Sequence, residues 1–262
     1  MTVRRIAACI EYCGADYRGW QYQCNAVSVQ ERVEGALSRV ADQDIRVIAA
    51  GRTDAGVHGG GQIIHFDTRA RRDRYSWLRG VNSHLPDDIS LLWTHPVERT
   101  FHARFSALQR DYRYVILNRE VAPSYLHGRV AWHPPPLAAE PMRRAAESLI
   151  GRHDFSAFRG ARCQSKSPQR ELRRISIGRA GPWVWLDFSA DGFLHHMVRN
   201  IAGTLMRIGE GREAVEWAGQ LLAGRDRRRA GPTASADGLY LTRVTYAPRF
   251  KLPPPPAPCR FW

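Results

Sequence analysis

The order in which two hydrophobic periods succeed one another restricts the fold of this chain more than any other feature. Residues 5–12, RIAACIEY, alternate with Ile6, Ala8, Ile10 and Tyr12 on one face, the period of a strand. Ser28, Val29, Gln30 and Glu31 read as a capping box, and Val29, Val33, Ala36, Leu37 and Val40 follow at helical spacing. Two strand-like runs, 45–51 and 62–68, flank a glycine-rich stretch. A helix is expected over 74–84 with Tyr75, Leu78 and Asn82 on one face, and then a strand over 89–97. The resulting order, β-α-β-β-α-β, is the split unit of ferredoxin-like folds and is built on an antiparallel sheet.

The second half repeats the order of elements without repeating residues. A strand over 111–118 precedes a proline-rich connection, HPPPLAAEP, and a helix near 140–150 with Met142, Ala145, Ala146 and Leu149 on one side. Strands over 173–178 and 183–190 flank Arg-Ala-Gly-Pro, a hairpin signal. A helix from about Leu194 to Ile208 ends at Gly209 and Gly211, another spans roughly 213–223, and 238–247 closes as a strand. The tail KLPPPPAPCRFW reads as extended and surface-packed. The fold class is α+β, in two halves divided as 1–108 and 109–262. Helices on one face of each sheet would leave the other faces open, and in a basic protein an open sheet face suits RNA.

Charge points the same way. The net charge of +14 favours a polyanionic partner, since phosphate contacts release counterions and act at a distance. Lys166 and Lys251 are the only lysines, a bias that phosphate recognition and a G+C-rich genome would produce equally well. Five cysteines form no CxxC pair, so reduced and mostly buried thiols are expected rather than zinc or a disulfide framework. No run reaches the roughly 18 apolar residues of a membrane span, and the N-terminus meets charge too early for a signal peptide, which implies a cytoplasmic location.

The candidate site is Gly51–Gly61, GRTDAGVHGGG. A phosphate loop would need a lysine after its last glycine, whereas Val57 and His58 follow Gly56. Asp54 and His58 stand four apart, but the glycines argue against a helix and no H-E-x-x-H or carboxylate trio is present, so no metal is expected. A plain turn with Arg52 and Asp54 as a surface pair is the bland reading. Against it, the loop follows an apolar strand that anchors its base, and its glycines would allow close approach by a ligand. A neighbouring arginine favours an ionised Asp54, which is a competent nucleophile or base.

GRTDAGVH resembles the signature of the tRNA pseudouridine synthase A family. GWQYQ (19–23), FHARFSA (101–107), DYRYVILN (111–118), GRHDFSAF (151–158), FLHHMVRNIAG (193–203) and GLYL (238–241) are also similar to that family, in the same order along nearly the whole chain. Cys13 departs from it, standing where the family shows aspartate in YDG. The resemblance implies two RRM-like halves whose sheets join across a basic cleft, a homodimer, no cofactor or metal, and isomerisation of uridines 38–40 in the anticodon stem-loop. It implies that Asp54 is the essential carboxylate, that Arg52 helps extrude the target base, that Tyr112 stacks on that base, and that Arg199 is a basic residue facing the carboxylate.

Pattern alone reads these partners more plainly. Of Tyr112 and Tyr114 one would be core and the other exposed, and Arg199, two residues after Met197, would lie on a solvated helix face. His58 is expected to order its loop by hydrogen bonding, and His195 and His196 to cap or pack a helix. The competing function is a tRNA-binding protein or RNA chaperone on the same scaffold without turnover. A metal-dependent nuclease is a third reading, disfavoured by ligand spacing.

Overall fold

Nine residues of alternating character, Arg4–Tyr12, form strand β1, and Ser28 caps helix α1 (Val29–Ala41) by accepting the Glu31 N–H at 3.3 Å. Then come β2 (Ile48–Ala49), β3 (His58–Thr68), α2 (Arg74–Asn82) and β4 (Ile89–Val97). The computed structural model describes residues 2–262 and gathers them into two units. One runs to Leu108 and takes back Leu241–Cys259; the other is Gln109–Tyr240 with Arg260–Trp262. The chain therefore changes unit after Leu108, again inside its last long strand, and once more after Cys259. Both units combine helices with mainly antiparallel sheet, so the protein is of mixed α and β class.

In the first unit β1 lies between β4 and β3, antiparallel to both, and β2 pairs with Ile64 and His65 of β3. The helix-facing side of the sheet carries Ile6, Ala8, Ile10, Tyr12, Ile64 and Phe66, which cluster with Val33 and Leu37 of α1 and Trp77 and Val81 of α2. The buried face of α2 is thus Trp77 and Val81, whereas Tyr75, on the face expected to carry Leu78 and Asn82, is exposed. Burying the large indole decides the rotation of so short a helix. β3 begins at His58, earlier than expected, because its glycines pair as strand although they carry no side-chain pattern.

The opposite sheet face of this unit is not the open platform expected of it. Ala7, Cys9, Ile63 and His65 are all buried there. Phe101 and Ala103 cover them, with Ala103 N–H donating to His65 Nδ1 at 3.1 Å. Tyr246 and Phe250, from the returning segment, pack on Phe101 with ring centroids 5.0 Å away in each case, and the Tyr246 hydroxyl donates to Ala103 O. Of the five cysteines only Cys9 is buried, and burial pushes its thiol up to about 12.

In the second unit β5 (Ala107–Leu117) pairs with β6 (Ala131–Trp132), and α3 (Ala139–Glu147) leads to β7 (Gly151–Asp154). The hairpin of β8 (Gln169–Ala180) and β9 (Trp183–Ala190) is followed by α4 (Met197–Gly209), α5 (Trp217–Gly224) and β10 (Leu239–Tyr246), of which only Leu239 and Tyr240 belong to this unit. The sheet order is β5-β9-β8-β7, antiparallel throughout these pairs. One face buries Tyr114, Ile116, Leu186 and Phe188. On the other, Arg113 forks onto its cross-strand partner Asp187 at 2.7 and 2.9 Å. Trp262 stacks on Trp185 there at 4.0 Å with Arg113 over its ring, so the tail's last residue is a fixed lid on this face. No helix is long and apolar enough to cross a membrane among the described residues.

His65 carries a pH signature. Burial foremost, with the charges of Arg5 and His102, holds its imidazole down at about 4 against an ordinary 6.5, while Asp67 opposes them weakly. The folded protein therefore refuses a proton that the unfolded chain accepts, and stability should fall as pH drops from about 6.5 towards 4. His65→Asn keeps an acceptor for Ala103 N–H and cannot titrate. Urea unfolding across that range should show a flatter stability profile for the variant; an unchanged slope would contradict the assignment.

Candidate active-site elements

The loop between β2 and β3 is held from both ends by hydrogen bonds. Ala50 N–H donates to Ile63 O at 2.7 Å, and the Gln62 side-chain amide donates to Gly51 O at 2.7 Å. Past the loop, His58 is buried and its Nδ1 accepts Gly14 N–H at 3.1 Å. That is the loop-ordering part expected of it, and it defines His58 as Nδ1-unprotonated in this contact.

Between these ends the loop is braced against the segment Gly14–Trp20. Thr53 is buried; its hydroxyl pairs with the buried Tyr12 hydroxyl at 2.8 Å, and its carbonyl accepts Trp20 N–H at 3.1 Å. Gly56 N–H donates to Tyr17 O at 3.2 Å, and Val57 N–H returns to Asp54 O at 3.1 Å in a tight turn. Tyr17 is itself moored by its hydroxyl to Asp88 at 2.7 Å.

Glycine makes this contact possible. Gly19 has φ +94°, and a Cβ there would stand 2.7 Å from Thr53 O and 3.1 Å from the Asp54 carbonyl carbon. A Cβ on Gly14 would run into Val57 O. Gly59 and Gly61 of the glycine-rich stretch are likewise used internally, since a Cβ would meet the Tyr12 ring and Thr242 O, each at 2.5 Å. Gly51 has open space around its missing side chain, so close approach by a ligand is not what Gly59 and Gly61 serve.

Arg52 is consequently exposed and Asp54 half-buried, flanking a residue that points inward. The middle residue, Thr53, is held in the core by its bonds to Tyr12 and Trp20. A carboxylate on such a segment is presented at a set position with little rotational freedom in its backbone, the condition for a nucleophile or base.

The second unit supplies Tyr112 and Arg199. Tyr112 and Tyr114 are two apart on β5 and so share one face, which corrects the expectation that they split between core and solvent. Tyr114 is fully buried, and its hydroxyl donates to Ser235 O at 2.9 Å. Tyr112, nearer the start of the strand, is half-buried with its ring edge-on to Phe193 at 5.1 Å. Arg199 is not on a solvated helix face. Its Nε donates to Ala234 O at 2.8 Å, and Ala234 N–H donates back to Arg199 O at 3.1 Å. Tyr114 and Arg199 thus grip consecutive carbonyls of one segment, and the Arg199 charge opposes the rise that burial imposes on the Tyr114 hydroxyl.

That segment is seated on α4 by residues that sequence patterning passes over. Asn200, fully buried, accepts from Thr233 Oγ1 at 2.6 Å and Arg227 at 3.0 Å, and donates to Phe158 O at 2.8 Å. Arg227 also donates to Gly231 O at 3.0 Å. Thr204 Oγ1 accepts Gly231 N–H at 3.3 Å, and Gly203 is bare where Pro232 O lies against the helix. A buried Asn on an amphipathic face, with GPT some thirty residues on, was the available signal. His196 precedes α4 with φ +61° and makes no side-chain cap bond, and its ring stacks on His195 at 3.8 Å. The helix therefore starts at Met197, three residues later than expected.

Comparison with known proteins fits this arrangement. A family model described as tRNA pseudouridine synthase matches residues 8–106 and 145–247. The chain is 55% identical over 249 residues to tRNA pseudouridine synthase A of Thiobacillus denitrificans, covering 95% of this chain and 96% of that protein. It is 51% identical over 254 residues to the protein of that name from an Enterobacter species, at 97% and 94% coverage. With that of Tolumonas auensis it shares 50% over 252 residues, at 96% and 97% coverage. Matched in both units and along nearly its whole length, the chain belongs to the tRNA pseudouridine synthase family.

Proposed function

We propose that this protein isomerises uridine to pseudouridine at positions 38, 39 and 40 in the anticodon stem-loop of tRNA, with Asp54 as the catalytic carboxylate. The family gives the reaction and the substrate class, and the brace on the Asp54 loop is the observation that carries the residue assignment. In the reaction the N1–C1′ bond of the uridine breaks, the uracil turns, and a C5–C1′ bond forms. The hydrogen on C5 leaves to solvent and N1 gains one, so the atoms balance with no oxidant, metal or cofactor.

Asp54 acts either by attacking the flipped nucleotide or by promoting glycosidic cleavage towards a glycal-type intermediate. Arg52, exposed beside it, helps draw the base out of the stack. Tyr112 lies against the extruded base and Arg199 supplies positive charge for the developing anion. The two units act as RRM-like halves, the first carrying the carboxylate loop and the second completing the site. The succession β1-α1-β2-β3-α2-β4 and the antiparallel pairing of β1 between β3 and β4 support that reading of the first half. The protein works as a homodimer.

Tritium release from tRNA labelled at uridine C5 tests the assignment, because isomerisation must expel that hydrogen and binding cannot. Wild type should release label, with chelator present or absent, and Asp54→Ala should release none above background while still binding tRNA. No release by wild type from any tRNA would instead support a binding protein or chaperone; full activity in Asp54→Ala would overturn the carboxylate assignment. Arg52→Ala should lower kcat by at least tenfold more than it weakens tRNA affinity. Equal losses would make Arg52 an ordinary phosphate contact.

A further inference from the structure

Between Thr68 and Gly80 the chain reads RARRDRYSWLR, five arginines against one acidic residue. Arg69, Arg71, Arg72, Arg74 and Arg79 are all exposed, and none forms an ion pair with a carboxylate among the described residues. A run of like charge on a surface is ordinarily just solvated, so the features that set this one apart matter. It is ordered: Arg69 N–H donates to Gln43 Oε1 at 3.0 Å, Ala70 N–H to Thr68 Oγ1 at 3.0 Å, and Arg72 Nε to Val40 O at 3.1 Å. The single carboxylate, Asp73, is spent on the helix, capping α2 by accepting Ser76 N–H at 2.7 Å. The neighbouring acids Asp42 and Asp44 follow α1 and engage none of the five.

The patch also holds an aromatic ring. Tyr75 is 64% exposed, its hydroxyl accepts from Arg79 at 2.6 Å, and the Arg79 guanidinium lies 5.9 Å from the ring centroid. Arg69, Arg71 and Arg74, with a ring held by Arg79, suit a sugar–phosphate backbone, which offers regularly spaced anions and flat groups to stack on.

Its position defines what it could touch. The catalytic loop enters β3 at His58 and the patch begins where β3 ends at Thr68, so the eleven-residue strand separates the two. At about 3.3 Å per residue that is roughly 30 Å, too far for both to reach one nucleotide.

We propose that Arg69, Arg71, Arg74 and Arg79 with Tyr75 form a second tRNA contact, which grips backbone phosphates remote from the target uridine and so distinguishes whole tRNA from an isolated anticodon hairpin. This rests on tRNA being the substrate. The contact contributes affinity and no chemistry.

The test uses the full chain with Arg69→Gln, Arg71→Gln and Arg74→Gln combined, sparing Arg72, which is tied to α1, and a second variant, Tyr75→Ala. Unchanged circular dichroism and melting would certify folding; should the triple variant melt early, Arg71→Glu alone replaces it. Binding of full-length tRNA should weaken about tenfold or more, and the slope of log K against log salt should shrink by roughly 2 to 3. Binding of the isolated hairpin and the rate at saturating tRNA should stay at wild-type values. Tyr75→Ala should weaken full-length binding alone, by a few-fold. Equal losses for tRNA and hairpin would overturn the proposal in favour of general electrostatic attraction, and no loss for either would return the patch to a solvated face. A change of oligomeric state in sedimentation with tRNA binding intact would assign it to a protein interface. Wild-type turnover, measured alongside, separates a failure of this contact from a failure of the substrate assignment.

Discussion

The loop proposed to carry the catalytic carboxylate depends on one contact, the packing of the Thr53 backbone onto Gly19 and Trp20. Two hydrogen bonds converge on Thr53, from the Trp20 N–H to its carbonyl and between its hydroxyl and that of Tyr12. Both are buried, where a lost partner costs about 1–3 kcal/mol, so the loop has little latitude to rearrange. Fixing Thr53 in the core fixes the backbone that carries the exposed Arg52 and the half-buried Asp54 on either side of it. The contact has a steric condition as well, since only glycine at position 19 leaves room for the Thr53 carbonyl.

The second unit solves the same problem with side chains rather than glycines. Tyr114 and Arg199 come from a strand and a helix far apart in sequence, and both hold the segment Ala234–Ser235. Asn200, Arg227 and Thr233 close a hydrogen-bonded network beneath it, and Thr204 adds the Gly231 N–H. Buried polar networks of this kind are stable only when every member is satisfied, which ties the helix, Arg227 and the GPT segment together. Arg199 is therefore a tethered cation, not a surface charge.

Much of the fold was legible because long amphipathic segments declare their period. β1, α1, β4, the β8–β9 hairpin and β10 lie within a few residues of where alternation and helical spacing put them. The short strands β6 and β7 carry no period to read, and the start of β3 is hidden because Gly59, Gly60 and Gly61 have no side chains to alternate. Long-range packing was illegible for another reason. That Phe101, Tyr246 and Phe250 would close one sheet face, or Trp262 stack on Trp185, depends on residues brought together only by the fold. Of the site, Arg52 and Asp54 announced themselves through their glycine-rich loop. The brace did not, because nothing in the spacing of Tyr12, Gly14 and Gly19 says that they face Thr53.

The brace is therefore where the account is most exposed. Gly19→Ala inserts a methyl group between the two segments, against the backbone of Thr53 and Asp54, and leaves the side chains of Arg52 and Asp54 in place. Single-turnover pseudouridine formation at saturating tRNA measures its effect directly. A displacement of the carboxylate near 1 Å costs on the order of 100-fold, so a folded Gly19→Ala protein should lose about that much rate with tRNA affinity within twofold of wild type. Tyr12→Phe, which removes one hydroxyl and adds no bulk, should lose less in the same direction. Wild-type rates in both variants, with folding intact, would contradict the claim that this contact positions Asp54.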